Sequence, residues 1–392
     1  MKKIGVVTFH RSHNCGSILQ SYAMQTVLKE YGYESEFIDF ATKGQKDLYA
    51  VFRPLNFSSP RKLAKSLYRN LLNTLLYKRA KGNWASYDEY LTSKLNISAC
   101  SYDESVELVE RNLSYDKYLT GSDQVWNVVI DDYDDVYFLN FVHNHPKIAY
   151  AVSQGAKDIN IYAKNPRQIA EYIKQIDHVS LREENGQKWI KSLTGSEYPV
   201  VLDPTLLHAQ SVYEEIEEPH DIVNAKDNEF IFVYATPLSW GFMKAIRRYA
   251  KSYKLEVIVW HSDIWLKRLG WLMGVKCPKS QNPGKYLDLI KRAKFVCTSS
   301  FHGVAFSTIY RKNFVVLENE GMRAGKDDRM TGFLKRLKLI NRIVDLSQFD
   351  AKMNKPVEYA DFEKELKKQQ LVSRDFLKNA LGANDEQNKI SC

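Results

Sequence analysis

The 392-residue sequence predicts an α/β protein of two doubly wound domains, each built on a parallel sheet, and three observations predict it. Apolar runs of strand length alternate with helical patterns along nearly the whole chain, the signature of βαβ units. The length suits two domains of ordinary size rather than one. A polar, proline-bearing stretch over 203–228, with Glu214, Glu215, Glu217, Glu218 and Pro219, divides the alternation into two halves and reads as a linker.

The elements follow in order. Residues 4–9 form an apolar run fit for a buried parallel strand; the run is too short for a signal peptide, and His10, Arg11, Ser12, His13 and Asn14 follow it. A helix over 17–31 places Ile18, Leu19, Tyr22, Ala23, Val27 and Leu28 on one side and stops at Gly32. Strand 33–40 comes next. Further strands are predicted at 117–120, 148–153, 178–181, 200–202, 230–234, 255–260, 295–298 and 314–317. Helices between them are predicted at 166–176, 183–192, 240–253, 283–293, 304–310 and 329–337. A charged helix over 361–383 ends the pattern. The expected division is a first domain over 1–207 with a basic helical insertion at 53–95, a second domain over 208–350, and a helical tail over 351–392 that crosses back onto the first domain.

Hydrophobic residues are 44% and charged residues 26% of the chain, which excludes a disordered or fibrous protein. No apolar run approaches the ~18 residues that a spanning helix needs. The five cysteines, Cys15, Cys100, Cys277, Cys297 and Cys392, are scattered and form no Cys-x-x-Cys pair, so neither a zinc site nor a disulfide framework is indicated. Free thiols and no export signal point to the cytoplasm. The net charge is +9, and it is local. Between Arg53 and Lys81 there are eight basic residues and no acid, so the rest of the chain sums to +1. Within that stretch Leu63, Leu67, Leu71, Leu72, Leu75 and Leu76 recur at helical spacing, which predicts a basic amphipathic helix. Two readings of it stand: a solvated helix whose leucines pack on the body of the protein, or a surface that meets an anionic membrane or a lipid-linked substrate. A nucleic-acid partner is not expected, because the charge is confined to one segment without a recognised motif.

Ligands of open α/β sheets bind beyond the carboxyl ends of the strands, so the loops after the strands carry the functional signal. They read Asn14-Cys15-Gly16-Ser17-Ile18-Leu19-Gln20, Gly121-Ser122-Asp123-Gln124-Val125-Trp126-Asn127, Tyr150-Ala151-Val152-Ser153, Ser180-Leu181-Arg182-Glu183, Asp203-Pro204-Thr205 and Ser299-Ser300-Phe301-His302-Gly303, with Asp328-Arg329-Met330 towards the end. This ordered set resembles the polysaccharide pyruvyl transferase family, and the likeness runs from the N-terminus to about Leu337. Cys15 stands where the family pattern has an aromatic residue.

The resemblance implies two Rossmann-like domains facing a cleft, glycosyltransferase-B-like, with the acceptor on the first and the donor on the second. It also implies phosphoenolpyruvate as donor substrate, with no cofactor, and a sugar acceptor from a cell-surface polysaccharide or its lipid-linked precursor. Phosphoenolpyruvate carries a carboxylate and a phosphate, which arginine forks bind well. Arg182 at a strand end, with Arg323, Lys326 and Arg329, is the expected donor-binding set, aided by Ser300 and Phe301 at the start of a helix. His302 is the side chain best suited to proton transfer near neutral pH, and Asp123 is a second base or a holder of acceptor hydroxyls. Asn14, Gly16, Gln20 and Asn127 are expected to shape the acceptor loops.

Plainer roles are open to the same residues. His302 and Asp123 can cap helices, Arg182 can pair with Glu183 or Glu184, and Trp126 can pack in the core. His10 and His13 lack a third ligand at metal spacing. Ser299 and Ser300 lack the Gly-x-Ser-x-Gly frame of a nucleophile elbow. A two-domain glycosyltransferase with a nucleotide-sugar donor is the alternative function, with Glu318 or Glu320 available to a ribose.

Overall fold

The first apolar run forms β1 (Lys2–Val7), whose Ile4, Val6 and Val7 are fully buried. Burial on both faces is what a continuous apolar run predicts for the centre of a parallel sheet. The computed structural model describes residues 1–382 except 112, 223–224, 237, 262–264, 266–268, 320–321 and 323–327. Contacts divide the chain into two units, Met1–Pro204 with the chain from Ser373 onward, and Thr205–Val372.

In the first unit β1 is joined by β2 (Tyr33–Phe40), β3 (Ile97–Tyr102), β4 (Lys117–Gly121), β5 (Lys147–Val152) and β6 (His178–Leu181). The order is β3-β2-β1-β4-β5-β6, and every pair is parallel. The second unit holds β7 (Phe230–Tyr234), β8 (Glu256–Val259), β9 (Val275–Lys276), β10 (Phe295–Thr298), β11 (Asn313–Leu317) and β12 (Ile343–Val344), in the order β12-β11-β10-β7-β8-β9, again all parallel. The two sheets have the same winding. Each reverses direction once, between β1 and β4 and between β7 and β10, and these are the positions where a doubly wound sheet receives ligands.

The helices connect the strands. Helix Cys15–Glu30 is capped by Asn14, whose side chain accepts from the Gly16 N–H, and it buries Ile18, Leu19, Ala23, Val27 and Leu28 against the sheet. Helix Phe301–Ile309 begins three residues before the predicted start, so His302 lies in its first turn rather than in a preceding loop. The last helix, Ala360–Leu381, belongs to the second unit through Val372 and to the first from Ser373. Its end is tied into the first unit where the Tyr33 hydroxyl donates to the Leu381 carbonyl at 2.6 Å and the Leu202 N–H donates to Ser373 Oγ at 2.9 Å.

The structure departs from the sequence reading in four places. Residues 200–202 make only an isolated bridge, between Val200 and Leu181. The stretch read as a linker is anchored: Leu206, Tyr213 and Ile216 are buried, and Tyr213 packs edge-on against Phe306 at 5.0 Å. β3, β9 and β12 are additional strands. β3 is largely exposed at the sheet edge, and the other two have two residues each. The basic segment forms two helices, Pro60–Leu75 and Tyr77–Lys94. Among the described residues no helix is long and apolar enough to cross a membrane.

Candidate functional site

In the first unit the loops after β1 and β4 meet at the switch point. The Thr8 hydroxyl donates to the Ser122 carbonyl at 3.1 Å and so ties the two strand ends together. Buried Gln20 braces this link: its amide donates to Thr8 Oγ1, the Ser17 carbonyl and Ser21 Oγ, each at 3.0 Å. Gln20 thus sets the loop from behind. Gly121 has φ +103°, and a Cβ there would stand 2.3 Å from the Tyr150 carbonyl oxygen, so only glycine fits. Asp123 follows at φ +72°, a left-handed conformation that costs a non-glycine residue roughly 1–3 kcal/mol. The surroundings hold it there. Asp123 Oδ2 accepts from the Ser17 hydroxyl at 2.6 Å and Oδ1 from the Gln124 N–H at 2.8 Å.

Behind Asp123 lies a buried charge cluster. Arg182, 4% exposed, follows β6. Its guanidinium reaches Asp203 at 3.1 Å, Glu183 at 3.3 Å and Asp123 at 3.8 Å. Burial works against the charge, but Glu183, Asp203 and Asp123 outweigh it and hold its pKa above the ordinary guanidinium value. Ser122 donates to Asp203 at 2.9 Å, and Ser153 donates to Glu183. One cation among three carboxylates leaves the cluster negative. Arg182, expected as a ligand of the donor's anionic groups, here gathers the loops after β4 and β6 and the chain at Asp203. Asn127 donates to the Gln124 side chain at 2.9 Å and stiffens the same loop, while buried Trp126 donates to the Tyr137 carbonyl and packs in the core.

In front of Asp123 is a cavity of about 360 Å³. Ser12, Asn14, Ser17, Tyr49, Asp123 and Asp132 supply most of its polar wall. Asp132 is 6% exposed. Burial, and then the charges of Asp123 and Asp131, push its carboxyl up to about 6. Ser12 donates to Asp132 Oδ2 at a long 3.5 Å, and Asp132 Oδ1 is buried without a hydrogen-bond partner among the described residues. A buried orphan of this kind costs roughly 1–3 kcal/mol unless a ligand or water meets it. The sequence reading missed Asp132, which sits in an acid-rich run (Asp131, Asp132, Asp134, Asp135) that matches no motif. Its one signal was its place just after the Gly121–Asn127 loop. Nearby, His13 lies parallel to Tyr87 at 5.3 Å with Trp84 at 5.5 Å and Tyr49 at 5.8 Å. Burial lowers His13 to about 4, so it is neutral at physiological pH.

The second unit presents different chemistry at its own switch point. The Thr298 hydroxyl donates to the Tyr234 carbonyl at 2.7 Å and accepts from the Ser300 N–H at 3.0 Å. The Thr236 N–H donates to Ser299 Oγ at 3.1 Å. Ser300 then caps helix Phe301–Ile309 in an extended conformation and makes no side-chain cap bond. A Cβ on Gly303 would stand 2.1 Å from Thr298 Oγ1, so glycine lets the helix approach β10 closely. His302 is 7% exposed with its ring 5.2 Å from Phe301, which leans on Phe333 at 4.8 Å. Tyr234 stacks on His261 at 5.2 Å. The positive end of the helix dipole thus opens beside two imidazoles. Arg329 stands half-buried in helix Asp328–Arg336. Arg323 and Lys326 lie outside the described residues. Among the described residues no group of three or more His, Cys, Asp or Glu is placed to hold a metal ion.

Against known proteins, the family model for polysaccharide pyruvyl transferase matches residues 14–321. The chain belongs to the polysaccharide pyruvyl transferase family. The matched span holds the loop from Asn14 to Gln20, the Asp123 turn, Arg182, Asp132 and the Ser300–His302 helix start; Arg329 falls just beyond it. No curated protein sequence matches the chain. Among solved structures, Methanocaldococcus jannaschii UDP-GlcNAc 2-epimerase in complex with UDP-GlcNAc and UDP is similar, with a TM-score of 0.52 and 11% identity over 95% of this chain and 100% of that one. The S. aureus MnaA–UDP structure is similar too, with a TM-score of 0.51 and 12% identity over 98% of both chains. At such identities the likeness is one of fold, two Rossmann-like domains of the glycosyltransferase-B type.

Proposed function

We propose that this pyruvyl transferase moves pyruvate from phosphoenolpyruvate onto two hydroxyls of a sugar, closing a cyclic ketal. The sugar belongs to a cell-surface polysaccharide, and the acceptor is its lipid-linked precursor on the cytoplasmic side. The observation that carries the reading is the first unit's cavity, whose wall of carboxylates, hydroxyls and an asparagine suits a neutral polyol and repels a phosphate. Family membership supports phosphoenolpyruvate as the donor. The donor then belongs to the second unit, where the helix start at Ser300 to His302 and the Arg329 side chain suit its carboxylate and phosphate.

In this reading Asp132 accepts the proton of the attacking hydroxyl, a task matched to a carboxyl near 6. Asp123, fixed by Ser17 and the Gln124 N–H, orients the hydroxyls. His302 protonates the methylene carbon of the enol. The first hydroxyl adds to the central carbon, phosphate leaves, and the second hydroxyl closes the ring. Of the two hydroxyl protons, one is balanced by the new methyl hydrogen and one leaves with the phosphate. The nucleotide-sugar alternative draws support only from the shared fold. Protection against heat by phosphoenolpyruvate, and not by nucleotide sugars, separates the two. Replacing His302 by Ala should abolish transfer while leaving the fold intact; transfer at the wild-type rate would remove His302 from the mechanism.

A further inference from the structure

Helix Pro60–Leu75 is attached to the protein by its polar side. Asn70 donates to the Arg53 carbonyl at 2.9 Å and accepts from the Arg53 N–H at 3.2 Å. Asn73 donates to the Val51 carbonyl at 2.6 Å, and Ser66 accepts from the Asn56 N–H at 3.2 Å. Ser66, Asn70 and Asn73 are spaced by four and three residues, so they share one face. The apolar side looks the other way. Leu67, Leu71 and Leu75, each four residues apart, are 50%, 58% and 72% exposed, and Tyr68 beside them is 50% exposed. None of the helix's 16 residues is buried. This is the reverse of the usual surface helix, which turns its apolar stripe to the core.

The apolar surface continues past the helix. Phe57, just before it, is 74% exposed, and Phe52 and Tyr77 stack at 6.0 Å while each remains 45% exposed. Exposed Arg61 and Lys65, one turn apart, border the leucine face, and Lys62 is exposed behind them. No acid occurs from Arg53 to Lys81. An apolar stripe bordered by cations, with aromatic residues at its start, is the pattern of a helix lying in the plane of a bilayer interface. A second copy of the same surface would set cation against cation, and nucleic acid has no use for the leucines.

We propose that helix Pro60–Leu75 docks the protein on an anionic phospholipid surface, with Leu67, Leu71 and Leu75 entering the acyl boundary and Arg61 and Lys65 meeting the headgroup phosphates. This goes beyond the catalytic reading and does not depend on the donor assignment. The polar anchors Asn70 and Asn73 hold the helix with its apolar face free for the lipid. A membrane-docked enzyme meets a lipid-carried sugar in two dimensions instead of three.

The test is co-sedimentation of the full chain with vesicles of phosphatidylcholine alone and of phosphatidylcholine mixed with phosphatidylglycerol. Binding is expected to the anionic vesicles only and to fall as salt rises. The Arg61→Gln/Lys65→Gln pair should weaken it roughly fivefold per charge, about 25-fold together. The Leu71→Ser/Leu75→Ser pair should abolish it at unchanged charge. Both pairs alter exposed side chains, so the melting temperature serves as the control on folding. Equal binding to neutral and anionic vesicles, or anionic binding untouched by both pairs, overturns the proposal. So does a solution dimer that the leucine pair dissolves without any vesicle binding.

Discussion

Replacing Asp132 by Asn should cost the enzyme its rate and improve its stability, and the two effects have one cause. The Asp132 carboxyl is raised from an ordinary value near 3.8 to about 6, first by burial and then by Asp123 and Asp131. Such a rise penalises the charged form by about 3 kcal/mol. The folded-state value lies above the unfolded one, so this stabilising contribution is present in full below about pH 4 and is lost as pH rises through about 6. Asn cannot ionise, so the variant keeps it. Thermal melts of both proteins at about pH 4 and about pH 8 should therefore diverge only at the higher pH, with the Asn variant ahead by several degrees. In a coupled phosphate-release assay, loss of a general base should lower kcat by roughly 10²–10⁴, about 3–5 kcal/mol of barrier. The wild-type kcat profile should show an acid limb near 6 that the variant lacks. A variant that transfers pyruvate at the wild-type rate, or that is destabilised equally at both pH values, would refute the assignment.

Two other changes probe the frame. Arg182→Met leaves Asp203, Glu183 and Asp123 gathered without their cation, and breaking such a buried group costs about 3–5 kcal/mol; urea titration followed by near-ultraviolet dichroism of the first unit should show it, and Arg182→Lys should recover only part. The His302→Ala change described above should behave differently, silencing transfer in a protein that still folds.

Much of this was readable from the sequence, for definite reasons. Buried parallel strands such as β1, β4 and β10 announce themselves as apolar runs, and the loops that follow them carry the candidate site residues. β3 could not be read in the same way, because an exposed edge strand has no apolar run to show. The leucine periodicity of Pro60–Leu75 was plain, yet periodicity says which residues share a face and not which way that face turns. Asn70 and Asn73 decide the orientation through bonds to Arg53 and Val51, which no pattern announces. Arg182 was visible as a strand-end cation. Its partners Asp123 and Asp203 come from distant positions that only the β4-β5-β6 order brings together. Asp132 was hidden in a run of acids, and only its burial in the fold separates it from exposed Asp131 and half-buried Asp134 and Asp135.

The central claim is a transfer reaction, and the direct measurement is the mass of the acceptor. Incubated with phosphoenolpyruvate and a candidate sugar acceptor, the purified protein should add one ketal-linked pyruvate per acceptor and release one phosphate, whereas the His302→Ala variant should not and the Asp132→Asn variant should do so only slowly. Addition of a glycosyl mass from a nucleotide sugar, with no change from phosphoenolpyruvate, would contradict the account.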